Sequence, residues 1–448
     1  MPLLLLLLLA PLSWVGSLRG ESTLLYIVVA LTATMILYIG ARGYRRHRVE
    51  LSRWNILGWG LLLRLALLPM EPSLSDDAWR YLWDGRLTIH GVNPYHVVPA
   101  DSSLARFHDD LYYAQGYPTT NTIYPPGAQI VFAIAMAPSE SLGLDHMVGY
   151  YLYKLLLIGA EVIAIFCLLE LRGLRDASFT PVILYAWHPL PIIELAGQGH
   201  TDALWVVAIG LALLGFARGR DGLPALAMGG TLRLYPLGLI PLWLPFVGAR
   251  RWWRGLLRSL PFLLLLGVLI ESTTWSAYTT VLGRFTNYYE FNGGIYYGLK
   301  GIVDAIGLTP SNAIAGGLCA GVIALLHVLV VWRWRRGGGV EGLAQGVLTL
   351  LTVQIIFGAK VHVWYFAPLL FMAAALDDGP LRRAWFWMGL AAPLTYALYL
   401  TQPASERADV LVLEWGGFAT VIAWEWWRGR ERRRGLAHGQ APSMRHHG

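Results

Sequence analysis

Apolar runs of about 20 residues recur from one end of the chain to the other, each long enough to cross a hydrocarbon core of about 30 Å as a helix. Short polar segments separate them, and arginine clusters recur in those segments: "RGYRRHR" (Arg42 to Arg48), "RGLRD" (Arg172 to Asp176), "RGR" (Arg218 to Arg220), "RRWWR" (Arg250 to Arg254), "RWRR" (Arg333 to Arg336), "LRR" (Leu381 to Arg383) and "RGRERRR" (Arg428 to Arg434). Basic loops mark the cytoplasmic face. Spans at roughly 2–18, 22–41, 54–70, 147–171, 179–196, 201–217, 255–272, 311–332, 342–358, 363–376, 384–400 and 408–427 place every cluster there, with about twelve crossings and both termini inside.

Two apolar stretches do not fit as spans. "GAQIVFAIAMA" (Gly127 to Ala137) is short and is expected to lie at the outer interface, and Leu223 to Val247, basic at both ends and broken by "LRLYP", is expected as a re-entrant helix pair. The opening "MPLLLLLLLAPLSWVGSLRG" lacks the basic start of a signal peptide and is expected as an uncleaved first span. The predicted fold is all-α, a polytopic transmembrane helical bundle. It forms a single integral membrane domain over residues 1–448, with 71–146 a large outer loop and 428–448 a basic cytoplasmic tail.

Composition agrees: 56% of residues are hydrophobic and 14% charged, against about 25% charged in ordinary soluble domains. The net charge of +7 is broken into short clusters rather than a continuous stripe, so no nucleic-acid partner is expected. Cys167 and Cys319 sit inside apolar runs and read as core thiols.

The threading gathers the remaining polar residues at the outer face. "SLSDDAWRYLWDGR" (Ser73 to Arg86) follows the third span, so Asp76 and Asp77 stand at the membrane edge, where low dielectric raises a carboxyl pKa and suits it to general-base work. Capping of the next helix by the same acids is the structural alternative. In a helix from Asp76 to His90, Asp77, Arg80, Tyr81 and Asp84 share one face, as a polar-ligand site or as a salt bridge between Arg80 and Asp84. His200 and Asp202 lie in the "AGQGHTD" turn; with no third ligand nearby, hydrogen bonding is favoured over metal, and no metal or cofactor is expected. His188 and Glu194, in or near a span, are functional candidates by position. Arg233 in "LRLYP", and Lys360 with His362 in "KVHVWY", are cations or neighbours of cations at membrane depth with no acid beside them in sequence. Phosphate binding or snorkelling to the interface would account for them.

"DDAWRYLWDGR", "GVNPY", "YPPG", "HPLPIIELAGQGHTDAL", "LRLYPL" and "VHVWYFAPLL" follow one another in an order that resembles the bacterial membrane mannosyltransferases of glycosyltransferase superfamily C, from about Arg53 to Pro368. The resemblance implies a glycosyltransferase-C-like bundle in the bacterial cytoplasmic membrane, with a polyprenyl-phosphate sugar donor, a lipid or glycan acceptor, an active site facing outward, and an Asp base that falls on Asp77 with Asp76 next. It gives Trp83, Asp84 and Gly85 the place of a WDG pattern, and Arg233 that of a usual Lys; Val363 stands where Pro is frequent. The expected reaction moves a hexose, mannose by resemblance, with inversion, and leaves substrate binding to Arg80, Tyr81, Asp84, His200, Asp202, Arg233, Lys360 and His362. A multi-spanning transporter or flippase, or an envelope-assembly scaffold, is the competing reading.

Overall fold

The structure, a computed structural model, describes residues 1–335 and 338–438. Arg336 and the last ten residues of the basic tail lie outside them. Helices account for the secondary structure, and the one β-type pairing among the described residues is an isolated bridge between Phe291 and Lys360. Among the described residues, five helices are long and apolar enough to cross a membrane: Gly20–Arg46, His146–Gly173, Arg251–Ile270, Ser311–Trp334 and Gly339–Ile356. The chain is a multi-pass membrane protein, with lipid-length helices around a core of broken ones.

Proline and backbone bonding explain the breaks. The expected span at 179–196 becomes a 3-10 turn Thr180–Val182, a short helix Ile183–Ala186, a stop at His188 and a π-helical stretch Ile192–Gly197. Pro181, Pro189 and Pro191 cannot continue the amide ladder, and the His188 ring accepts from the Leu190 amide at 3.1 Å. The break expected at "LRLYP" is present: the Leu223–Leu232 helix ends in extended backbone at Arg233, before a 3-10 turn and the Ile240–Val247 helix. "STTWSAYTTVLGRFTNY" forms the helix Ser272–Tyr288.

The segment 71–146 is built on two packed helices. Asp77–Ile89 lies against Pro126–Leu142, which in turn packs on His146–Gly173. Gly85 permits the first contact, because a Cβ there would stand 2.5 Å from the Phe132 carbonyl oxygen. Trp83 is fully buried beside it, so Trp83 and Gly85 serve packing.

Candidate active site

Four residues fix where Asp76 and Asp77 sit. The end of the Arg53–Leu65 helix would leave carbonyls unpaired, and the buried Lys154 ammonium donates to the carbonyls of Leu67, Leu68 and Met70 at 2.7, 2.8 and 2.8 Å. Tyr150 donates to Met70 and Gly197, Gln198 accepts from the amides of Ser73 and Leu74 at 2.8 Å each, and Tyr399 donates to the Leu74 carbonyl. The charged knot is therefore held before its helix begins.

The two acids then part company. Asp76 pairs with Arg19 at 2.9 Å, and Arg19 lies over the Tyr399 ring. Asp77, at the first turn of its helix, has Tyr81 Oη at 3.5 Å and feels Lys360 and Arg233 as its nearest opposing charges. Burial raises the Asp77 pKa above the ordinary carboxylate value, Lys360 and then Arg233 pull against that rise, and Asp76 and Asp202 add to it. Such a carboxyl is a stronger base once ionised.

Arg80 and Asp84 form a buried pair, 2.8 Å apart, and Arg80 also donates to the carbonyls of Tyr117 and Thr120 at 3.1 and 2.8 Å. Gln129 approaches Asp84 at 3.4 Å. Expected as substrate ligands, these two are occupied with one another and with the backbone of the loop that presents Tyr117. Spacing located their shared face correctly, but that face points into the protein.

The distant motifs converge. Phe291 N–H donates to Ala359 and Val361 N–H to Phe291, at 3.0 and 2.7 Å, which ties the loop after the Ser272–Tyr288 helix to "KVHVWY". His200 stacks on Trp364 with ring centroids 3.6 Å apart, His362 on the same Trp364 at 4.2 Å, and Phe291 on His362 at 5.0 Å. Gly199, at φ +80°, takes the left-handed conformation that turns His200 into this stack. Burial holds both imidazoles far below the usual histidine pKa, so they are neutral rings rather than cations.

Arg233 donates to Thr201 at 3.3 Å and stands 3.8 Å from Asp202, an acid invisible to it in sequence. Asp202 Oδ1 accepts from the Trp205 indole at 2.9 Å, while its Oδ2 and both His200 nitrogens are buried with no hydrogen bond among the described residues. Arg233 stands 3.8 Å from Oδ2 and Glu194 Oε2 stands 3.6 Å from His200 Nε2, so His200 Nδ1 is the one of the three with neither a hydrogen bond nor an ion-pair neighbour among the described residues. The His188 ring meets Tyr38 Oη at 2.9 Å, and Glu194 accepts from Tyr26 and Tyr396; both serve helix packing.

A cavity of about 220 Å³ opens beside Asp76, walled also by Arg19, Tyr117, Tyr399, Trp364 and His362; Asp77, the next residue, is not part of its lining. On the other side a narrow apolar crevice runs from Asp202 and Tyr235 along Leu351, Ile355 and Leu369. Among these residues Arg19, Tyr117, Tyr399, Trp364 and Lys154 went unmarked in the sequence. An intramembrane Lys with no acid nearby was the signal for Lys154; the aromatics were hidden among 20 Trp and 22 Tyr. No group of three or more His, Cys, Asp or Glu able to hold a metal occurs among the described residues.

A family model described as "Alpha-(1->6)-mannopyranosyltransferase, N-terminal domain" matches residues 6–250, more than half of the chain. The chain is also 23% identical over 395 residues to "Alpha-(1->6)-mannopyranosyltransferase A" of Mycobacterium tuberculosis (strain ATCC 25618 / H37Rv), an alignment covering 82% of this chain and 73% of that one. The family accounts for a membrane-embedded enzyme with sugar-transfer chemistry and sets aside the transporter and scaffold readings: the chain belongs to the alpha-(1->6)-mannopyranosyltransferase family and is a membrane glycosyltransferase of the mannosyl-transferring type.

Proposed function

We propose that this enzyme moves mannose from a polyprenyl-phosphate donor to a primary hydroxyl of a lipid or glycan acceptor, on the outer face of the bacterial cytoplasmic membrane, with Asp77 as general base. The observation that carries the reading is the split fate of the adjacent acids: Asp76 is committed to Arg19, whereas Asp77 is left in the field of Lys360 and Arg233. The acceptor hydroxyl approaches Asp77 as its oxygen attacks the anomeric carbon, the carboxylate takes the proton, and the lipid phosphate departs from the opposite face through an oxocarbenium-like transition state. One displacement inverts the centre. The departing phosphate needs positive charge rather than a proton, which Lys360 and Arg233 supply.

In this reading the 220 Å³ cavity beside Asp76, rich in ring faces, takes the acceptor sugar. The printed name of the family supports a (1→6) linkage in the product. Purified protein should transfer mannose from polyprenyl-phosphate mannose and leave a nucleotide sugar untouched, with activity surviving a chelator. Transfer that requires the nucleotide sugar, or that stops on chelation, contradicts the reading.

A further inference from the structure

A second cavity, of about 750 Å³, lies at the far end of the molecule from Asp77. The Thr23–Arg46 helix connects the two regions: Tyr26 near its start reaches Glu194 below the His200 stack, and its last turns wall the cavity, about 30 Å further on at 1.5 Å per residue. Tyr38, Arg42 and Arg45 follow at four and three residues, so they form one stripe on that helix, apolar toward the middle of the bundle and cationic toward its end. The opposite wall combines the same two characters, with Leu184 and Phe386 apolar and Arg382 cationic.

The cations outnumber the acids available to them. Arg42, Arg45 and Arg48 make no ion pair among the described residues. Arg382 donates to the carbonyls of Ala373 and Leu376 at 3.0 Å and makes no ion pair within 4 Å among the described residues, with Asp378 its favourable charge further off. Of the two acids in the lining, Asp377 is held by Arg172 and Arg175 at 2.8 and 2.7 Å, and Glu50 accepts from Ser178. Arg48 adopts φ 53°, a conformation uncommon outside glycine, where the chain turns after the helix at the cavity rim. Basic loops alone would satisfy the positive-inside rule. Here the exposed arginines Arg42, Arg45 and Arg48 line a half-open space of ligand size, bordered by an apolar wall.

We propose that this cavity docks an anionic membrane phospholipid, its phosphate against Arg42, Arg45, Arg48 and Arg382 and the start of its acyl chains against Tyr38, Leu184 and Phe386. Arginine forks match phosphate oxygens in pairs, and basic pockets between membrane helices hold anionic headgroups. The apolar wall is what selects an amphiphile over a soluble anion.

Native mass spectrometry of the full-length protein tests this, after delipidation in detergent and titration with phosphatidylglycerol, phosphatidylcholine or inorganic phosphate. One phosphatidylglycerol should be retained, about tenfold more tightly than phosphatidylcholine, and the Arg42→Gln/Arg45→Gln/Arg48→Gln variant should lose at least about fivefold of that affinity. Lysine at the same three positions should restore most of it. Leu184→Trp keeps every arginine but fills the apolar wall; it should also weaken retention, and it provides the test if the triple variant does not fold. Equal binding of the two lipids, or unchanged phosphatidylglycerol affinity in the variants, overturns the proposal. Inorganic phosphate competing at millimolar concentration overturns it as well, by assigning the cavity to a soluble anion.

Discussion

Lys360 and Asp77 set one another's charge, and this gives the enzyme a pH signature. Burial brings the Lys360 ammonium down to about 8, with Asp77 opposing the shift and Arg233 assisting it. Burial raises Asp77, and Lys360 is the first influence holding it down. On the acid side, activity should fall as pH drops through the raised Asp77 pKa, because protonation removes the base. On the alkaline side it should fall above about pH 8, because Lys360 loses the charge proposed to face the departing phosphate. Rate profiles of Lys360→Arg should lose the alkaline limb, since a guanidinium stays charged. Lys360→Met should cut transfer about a hundredfold, as expected for loss of one charge-stabilising donor, and move the acid limb upward. A Lys360→Met profile with an unmoved acid limb would separate the two groups. The carboxylates were legible in sequence because two acids beside an apolar run are conspicuous. Arg80 and Asp84 were equally conspicuous, yet spacing gives a shared face and not its direction, and theirs points at Tyr117 and Thr120 carbonyls.

At the scale of elements, the site depends on a joint rather than on a helix. Residues 67–74 leave the Arg53–Leu65 helix and are clamped by Lys154, Tyr150, Gln198 and Tyr399 from three other parts of the chain. Lys154→Met removes a charged donor from three carbonyls; Met70 keeps Tyr150 and Leu67 keeps the Met70 amide, but Leu68 is left unpaired among the described residues, and hydrogen bonds to charged groups are worth about 1.5–3 kcal/mol each. A loss of about 2–4 kcal/mol is expected, read as a lower unfolding temperature in detergent together with slower transfer. Unchanged stability would mean that the joint is held by packing alone. This clamp was not legible in the sequence, because its acceptors are main-chain carbonyls that no residue type announces. The long apolar helices were legible from hydropathy. The π-helical Ile192–Gly197 and the 3-10 stretch Ala392–Leu400 were not, since a broken helix and a whole one have the same apolar composition.

The whole molecule has two charged ends of different character. One gathers Asp76, Asp77, Asp202, Arg233 and Lys360 around ring faces; the other gathers arginines around the 750 Å³ cavity. In the proposed orientation the first faces outward. Ser103 is exposed in the loop at the first end and Arg220 at the second, while Cys167 and Cys319 are buried and give little background to thiol labelling. In intact cells an impermeant maleimide should label Ser103→Cys and should reach Arg220→Cys only after lysis; the reverse pattern would invert the orientation. The proposed mechanism rests on one carboxylate. The direct measurement is the rate of mannosyl transfer from polyprenyl-phosphate mannose by purified, folded Asp77→Asn and Asp76→Asn. Loss of the base should slow Asp77→Asn by about 10²–10⁴-fold, with Asp76→Asn keeping within about tenfold of the parent rate. Full activity in Asp77→Asn, or the larger loss in Asp76→Asn, would contradict the account.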